Sequence, residues 1–335
     1  MNGRGPVDPG RRAALQGLAG AVVARWLAGC DRLVLLDELT AEALAPITPT
    51  ERFYVYQYGP VPDLDPSSHR IEVTFEETPL ATFDRGHLAS LAGREREHTL
   101  QCIGSRPTVQ NIGNARWFGL PLVEVLASLG VTPPAEAVEL VAVGEDGYDA
   151  AIPIGDLTAD APVWLVWEMN GEPLPLPHGA PARLLVPGRY GVKNVKWPAE
   201  LRFVRSPHTS FWSEQGWSEP APYRPNTFVA SPADGLEVPP GTVVRFVGTA
   251  FAGEDVVERV EVSIDGGPWR EAERAYAIDQ PGVWVLWSFE WEVPEGRHVV
   301  QARCTTRDGA RSHPTHDGTS PLDGYDGSMS VLVRA

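Results

Sequence analysis

The sequence predicts an α+β domain followed by an all-β domain of the immunoglobulin-like sandwich type. Three observations lead there. At 335 residues the chain is longer than one comfortable core needs, so two domains are expected. As far as residue 225, strand-like and helix-like stretches are mixed without a repeating βαβ rhythm. Beyond it the apolar period becomes two, and strands break at turn residues at short intervals.

The elements follow in order. ERFYVYQYGPVP (51 to 62) has strand-like aromatics closed by prolines, and LPLVEVLASLG (120 to 130) has helical spacing and a glycine stop. AVELVAVGEDGYDAAIPI reads as a strand, a turn and a second extended piece. APVWLVWEMNGEPL is an apolar strand turning at Asn170-Gly171. A Pro- and Ser-rich boundary, SEPAPYRPNTFVASPADG (218 to 235), separates domains at 31–225 and 226–335. After it come TVVRFVGTAF, VERVEVSIDGGPW, VWVLWSFEWEV and HVVQARCTTRDG, with Asp265-Gly266-Gly267 as a hairpin signal.

Residues 1–30 have a different character. Arg11-Arg12, a moderately apolar segment and Leu27-Ala28-Gly29-Cys30 form the pattern of a twin-arginine export signal ending in a lipoprotein cleavage box. The expectation is an exported protein, periplasmic or cell-surface, anchored by lipid at Cys30. The alternative is a cytoplasmic protein whose amphipathic first helix places Leu15, Leu18, Val22 and Trp26 on one face. No apolar run reaches the ~18 residues of a membrane-spanning helix.

A net charge of −16 argues against a nucleic-acid partner, because phosphates would be repelled. No glycine-rich dinucleotide fingerprint or phosphate loop is present. The three cysteines, 30, 102 and 304, make no disulfide framework. Cys304 alternates with Val300 and Ala302 on one face of a strand and reads as core. Cys102, in HTLQCIGSRP, reads by itself as a small buried hydrophobe.

Several stretches, in order, resemble the sulfite oxidase family of molybdenum enzymes: ITPTERFYV (47 to 55), TLQCIGSRP (99 to 107), GNARWFG (113 to 119) and YDAAIPI (148 to 154). WEMNGEPLPLPHGAPARLLVPGRYGVKNVKW (167 to 197) and the RVEVSIDGG hairpin complete the set, which covers nearly everything from residue 31 onward. The resemblance implies a molybdopterin-binding α+β domain and an immunoglobulin-like domain that often makes a homodimer. It implies that Cys102 is a thiolate ligand to molybdenum beside the dithiolene sulfurs of molybdopterin, a role that suits a soft donor. By position, Asp146, His178, Arg183, Lys193, Asn194 and Lys196 would meet the cofactor, as would Tyr56, Gln57 and Tyr58. The Arg and Lys side chains suit its phosphate.

The departures from the family fall at the substrate. Tyr56, Gln57 and Tyr58 stand where sulfite-oxidising members have Arg-Asn-His, Ser105 and Pro107 replace residues of the motif after the cysteine, and FWSEQGW (211 to 217) puts Trp217 at the catalytic tyrosine. SPLDGYDGS lacks another arginine, leaving Arg106 as the cation expected to reach the pocket. Each lost charged hydrogen bond would weaken sulfite binding by ~1.5–3 kcal/mol.

The expected function is therefore two-electron oxygen-atom transfer on a substrate other than sulfite, either a small molecule or a side chain of another protein. Tyr56, Tyr58 and Trp217 would line the pocket, and the tyrosine hydroxyls would bond the transferred oxygen. The same centre running as a sulfoxide reductase, including on oxidised methionine, is the alternative, and a non-catalytic scaffold is a third. With no CxxCH haem motif, electrons are expected to pass through a separate cytochrome or membrane subunit.

Overall fold

The computed structural model describes residues 45–335, apart from 108, 159, 161, 314–321 and 328, together with two short strands nearer the N-terminus. Arg11-Arg12 and Cys30, on which the export expectation rests, lie outside the described residues.

Four sheets are arranged as two pairs. The first sheet of the first pair runs Thr78–Asp84, Arg70–Phe75, Pro198–Val204, Glu139–Gly144, Asp149–Pro153. Only Arg70–Phe75 and Pro198–Val204 pair in parallel; the other neighbours are antiparallel. The second sheet runs Glu172–Pro173, Trp164–Met169, Ile112–Pro121, Arg94–Gln101, with Arg183–Leu185 also on Trp164–Met169. Helix Leu122–Ser128 forms where the 3.6-residue spacing predicts it, and buries Leu122, Val125 and Leu126. These join Ile71, Val73, Leu165, Leu201 and Phe203 in the largest core of this pair. A smaller core around Phe53, Leu100, Trp117 and Val166 backs the site described below.

The predicted turns hold. Asn170 and Gly171 take φ of 55° and 83°, the left-handed geometry of a two-residue hairpin loop, and Asp265 with Gly266 does the same at 52° and 70°. The strand-like run at 51 to 62 does not form a strand. After a 3-10 turn at Thr50–Arg52 its backbone is irregular, and Tyr56 and Tyr58 are exposed. Pro60 and Pro62 bring no N–H to a ladder, and among the described residues no sheet edge pairs with the segment.

In the second pair, one sheet joins Val243–Phe251 to Val285–Glu292, Glu273–Tyr276 and Asn226–Ser231. Val34–Leu36 adds to it in parallel and carries Val23–Ala24. The other sheet runs Leu236–Glu237, Ser330–Arg334, Arg297–Thr306, Val257–Ile264, Arg270–Glu271. Val300, Ala302 and Cys304 point into the core between the sheets, as their alternation predicts.

Strand Arg94–Gln101 makes several of the contacts between the two pairs. Thr99 N–H donates to Gly282 O at 2.9 Å, and its hydroxyl accepts from Trp284 N–H at 2.9 Å. Tyr276 donates to Glu97 at 2.6 Å. The chain immediately before Cys102 is thus clamped from both sides.

Candidate active site

Cys102 immediately follows that clamped strand, and a tight loop holds it. Its N–H donates to Asn111 O at 2.9 Å, and its carbonyl accepts from Ser105 N–H at 3.0 Å. Ser105 is fully buried and donates its hydroxyl to Asn111 O at 3.0 Å, so it closes the loop rather than facing a ligand. Arg106 and Val109 exchange backbone hydrogen bonds of 3.0 and 2.8 Å, which leaves the Arg106 side chain exposed at the rim.

A cavity of about 260 Å³ opens over Cys102. Cys102 is 8 % exposed, and burial pushes its thiol above the ordinary value, while a backbone hydrogen bond from Gly104 opposes this. Among the described residues no cluster of three or more His, Cys, Asp and Glu side chains could hold a metal. A metal at Cys102 would therefore have to bring most of its ligands with it.

One wall is cationic. Arg183, 6 % exposed, lies over the Trp117 ring at 5.3 Å and donates to His178 O at 3.1 Å and Asn194 O at 3.3 Å. Its Nε is buried with no hydrogen-bond partner among the described residues, and burial lowers its pKa to about 10, so it stays charged. Lys196 donates to Gln57 Oε1 at 2.8 Å and Pro177 O at 3.0 Å, over the Trp197 ring. Burial, and then the charge of Arg183, lower Lys196 to about 7. His178 Nε2 lies 3.1 Å from Thr50 O, which can only accept, so Nε2 carries the proton and Nδ1 is left as an acceptor. Burial and Arg183 hold its pKa at about 4, so His178 is neutral at pH 7. Asp146 also borders the cavity and accepts from Tyr148 N–H at 3.1 Å.

The outer wall is aromatic. Tyr58 packs on Phe211 with centroids 4.4 Å apart, Phe211 on Trp212 at 5.2 Å, and Trp212 on Trp217 at 6.5 Å. Trp217 comes close to the thiol: a methyl group on Gly104 would stand 3.7 Å from Trp217 and 3.9 Å from Cys102 Sγ.

Tyr56, Gln57, Tyr58, Cys102, Arg106 and Trp217 therefore converge on one cavity, together with Asp146, His178, Arg183, Asn194 and Lys196. Two details correct the sequence expectation. Asn194 reaches the cavity, but its amide is committed to the backbone, accepting from Val186 N–H at 2.8 Å and donating to Tyr190 O at 3.0 Å. Lys193 does not line the cavity. It is 3 % exposed and donates to Ala151 O at 3.0 Å, Ser210 Oγ at 2.9 Å and Glu219 Oε1 at 2.5 Å, beside a separate cavity of about 170 Å³. It ends the 3-10 turn Gly191–Lys193, which sends it away from the wall that Lys196 joins.

Tyr54, Tyr148, Asn111 and Trp212 also line the cavity and were not expected there. Trp212 lies within the FWSEQGW stretch, and its aromatic type is the available signal. For Tyr54 the strand reading of its segment hid the signal, since alternation groups it with Tyr56 and Tyr58 rather than setting it apart.

The donor set fits an anionic, sulfur-bearing organic cofactor. It offers a buried guanidinium with an unpaired N–H, an ammonium group that a phosphate would recharge, a neutral imidazole acceptor and one thiol. Residues 58–212 match the family model described as oxidoreductase molybdopterin binding domain. A sulfite oxidase of Arabidopsis thaliana is 30% identical over 312 residues, covering 76% of this chain and 79% of that protein. Mitochondrial sulfite oxidase of Homo sapiens is 30% identical over 332 residues, 85% of this chain. That of Rattus norvegicus is 30% identical over 309 residues, 78% of this chain. The chain spans 60% of the length of the human protein and 56% of the rat protein. Among solved structures, the sulfane dehydrogenase SoxCD of Paracoccus pantotrophus superposes with a TM-score of 0.73 over 100% of this chain and 93% of that one, at 20% identity, a likeness of fold. The chain belongs to the sulfite oxidase family of molybdopterin-dependent oxidoreductases, and its cofactor is molybdenum-molybdopterin.

Proposed function

We propose that this protein carries out two-electron oxygen-atom transfer on a neutral or partly apolar substrate other than sulfite. The observation that carries the reading is the division of the cavity. Its inner cations, the buried Arg183 and the half-buried Lys196, lie on the wall suited to a cofactor phosphate, while the rim is Tyr58, Trp212 and Trp217 with Arg106, Tyr58 and Trp212 both packing on Phe211 behind them. A small dianion would have to shed water there with one exposed cation, Arg106, to replace it. An apolar body with one polar atom fits the rim.

In this reading Cys102 supplies the one protein thiolate to the metal. Arg183 and Lys196 hold the phosphate, and His178 Nδ1 accepts from the pterin. When bound, the cofactor supplies the two-electron couple for the transfer. Written as an oxidation, the substrate gains an oxygen from water and releases two protons and two electrons. The electrons leave to a separate carrier protein. The part of the second pair of sheets at 226–335 is taken as an immunoglobulin-like sandwich that serves a homodimer, and residues 1–30 as an export signal with Cys30 as lipid anchor, whose cleavage would take Val23–Ala24 from the sheet and leave Val34–Leu36 on it.

The test is molybdenum and pterin content of the protein made in a cofactor-producing host, beside Cys102→Ser. About one metal per chain, with the site altered or lost in the variant, is expected. Loaded protein should then turn over a thioether or a sulfoxide in one redox direction and leave sulfite untouched. Rapid sulfite oxidation sinks the substrate reading, and absence of both metal and pterin sinks the enzyme reading.

A further inference from the structure

Oxygen-atom transfer needs a hydrogen-bond donor where charge develops on the moving oxygen. Four tyrosines line the cavity, and their hydroxyls are not equivalent. Tyr148 donates to Val192 O in a very short bond, so its proton is committed. Tyr56 and Tyr58 are 57 % and 52 % exposed, and their hydroxyls compete with water.

Tyr54 differs. Its ring stacks on Phe53 with centroids 5.4 Å apart, and Phe53 is buried edge-on against Trp117 and His178. That anchor carries the hydroxyl inward, to the floor at Gly191. A methyl group on Gly191 would stand 3.1 Å from Tyr54 Oη, 3.3 Å from Gln101 O and 3.8 Å from Cys102 Cα. The hydroxyl and the backbone of the thiol-bearing residue thus both border Gly191, and no described group accepts the hydroxyl proton. Burial, and then the charge of Cys102, push its pKa well above the ordinary phenol value against the pull of Arg183, so it remains a neutral donor.

We propose that Tyr54 Oη, rather than Tyr56 or Tyr58, donates the hydrogen bond to the oxygen atom in transfer at the Cys102 site. This rests on the function proposed above. A neutral donor steadies a partial negative charge without adding a cation, in keeping with the anion-poor rim.

The test uses the full chain loaded with metal, as wild type and as Tyr54→Phe, Tyr56→Phe and Tyr58→Phe. The readout is electron paramagnetic resonance of the partly reduced metal in H2O and in D2O, beside metal content. Wild type is expected to show a coupling to an exchangeable proton. Tyr54→Phe should lose it at unchanged metal content, while the other two variants keep it. Gly191→Ala, which crowds the hydroxyl without removing it, should weaken the same coupling, and it serves as the test should Tyr54→Phe fail to load. With methyl phenyl sulfoxide and reduced viologen as probes, Tyr54→Phe should turn over about 100-fold slower. A loaded Tyr54→Phe protein that keeps the coupling, or a loss that follows Tyr56 or Tyr58, overturns the assignment alone. A wild type without molybdenum overturns the function and this inference together.

Discussion

Gln101 and Asn226 exchange two amide hydrogen bonds, of 3.2 and 2.9 Å, across the junction between the two pairs of sheets. Both residues are fully buried, and Gln101 immediately precedes Cys102. The second pair of sheets therefore takes part in fixing the thiol.

Asn226→Ala removes both bonds and leaves the Gln101 amide buried and unpartnered. A loss of about 1–3 kcal/mol in stability is expected, read by chemical unfolding of the metal-free protein. Metal retention under dialysis should fall in the same variant. Unchanged retention would separate the junction from the site.

Lys196 makes the metal-free protein sensitive to pH. Its folded pKa, about 7, lies below the ordinary lysine value, so the folded state binds fewer protons than the unfolded state between the two. The burial penalty is fully present below pH 7 and is relieved as pH rises from about 7 toward the ordinary lysine range. Stability of the metal-free protein should rise across that window, and Lys196→Met should flatten the rise. An anionic cofactor favours the charged form, so reconstitution should weaken as pH climbs through about 7, and weaken less in the variant. A flat profile in wild type would contradict this.

Lys193→Met tests the separation of the two lysines. Glu219 is held at about 2 by hydrogen bonds from Lys193 and Ser210, against burial that would raise it. The variant leaves that carboxylate without its cation. A cost of about 1–3 kcal/mol is expected, below that of a fully enclosed pair because Glu219 is 36% exposed. Pterin content per folded chain should not change, whereas Lys196→Met should lower it. Loss of pterin from Lys193→Met at full stability would return Lys193 to the cofactor.

Much of this was legible along the chain. Asn170-Gly171 and Asp265-Gly266 mark their turns because few other residue pairs accept two left-handed conformations in succession. The alternation Val300, Ala302, Cys304 places the second cysteine in a core, because a strand has no other way to bury one face. The motif around Cys102 and the stretch ending at Trp197 identify the residues of one cavity before any geometry is known. Ser105 shows the limit of such matching. It stands in a motif position, yet its hydroxyl serves the Cys102 loop.

By itself the sequence determined the family, the cofactor and the places of several strands and turns, since these follow from residue type, spacing and local backbone preference. Tertiary structure decided which like residues do unlike work. Lys193 and Lys196 are the same side chain three positions apart, but a 3-10 turn sends one to Glu219 and leaves the other on the cavity wall. Tyr54, Tyr56 and Tyr58 alternate as if equivalent, but the anchoring of Phe53 turns only Tyr54 toward Gly191 and Cys102. Direction and burial depend on what lies across the space from a side chain, and that is supplied by other segments, 26 residues away for Lys193 with Glu219 and 139 for Lys196 with Gln57.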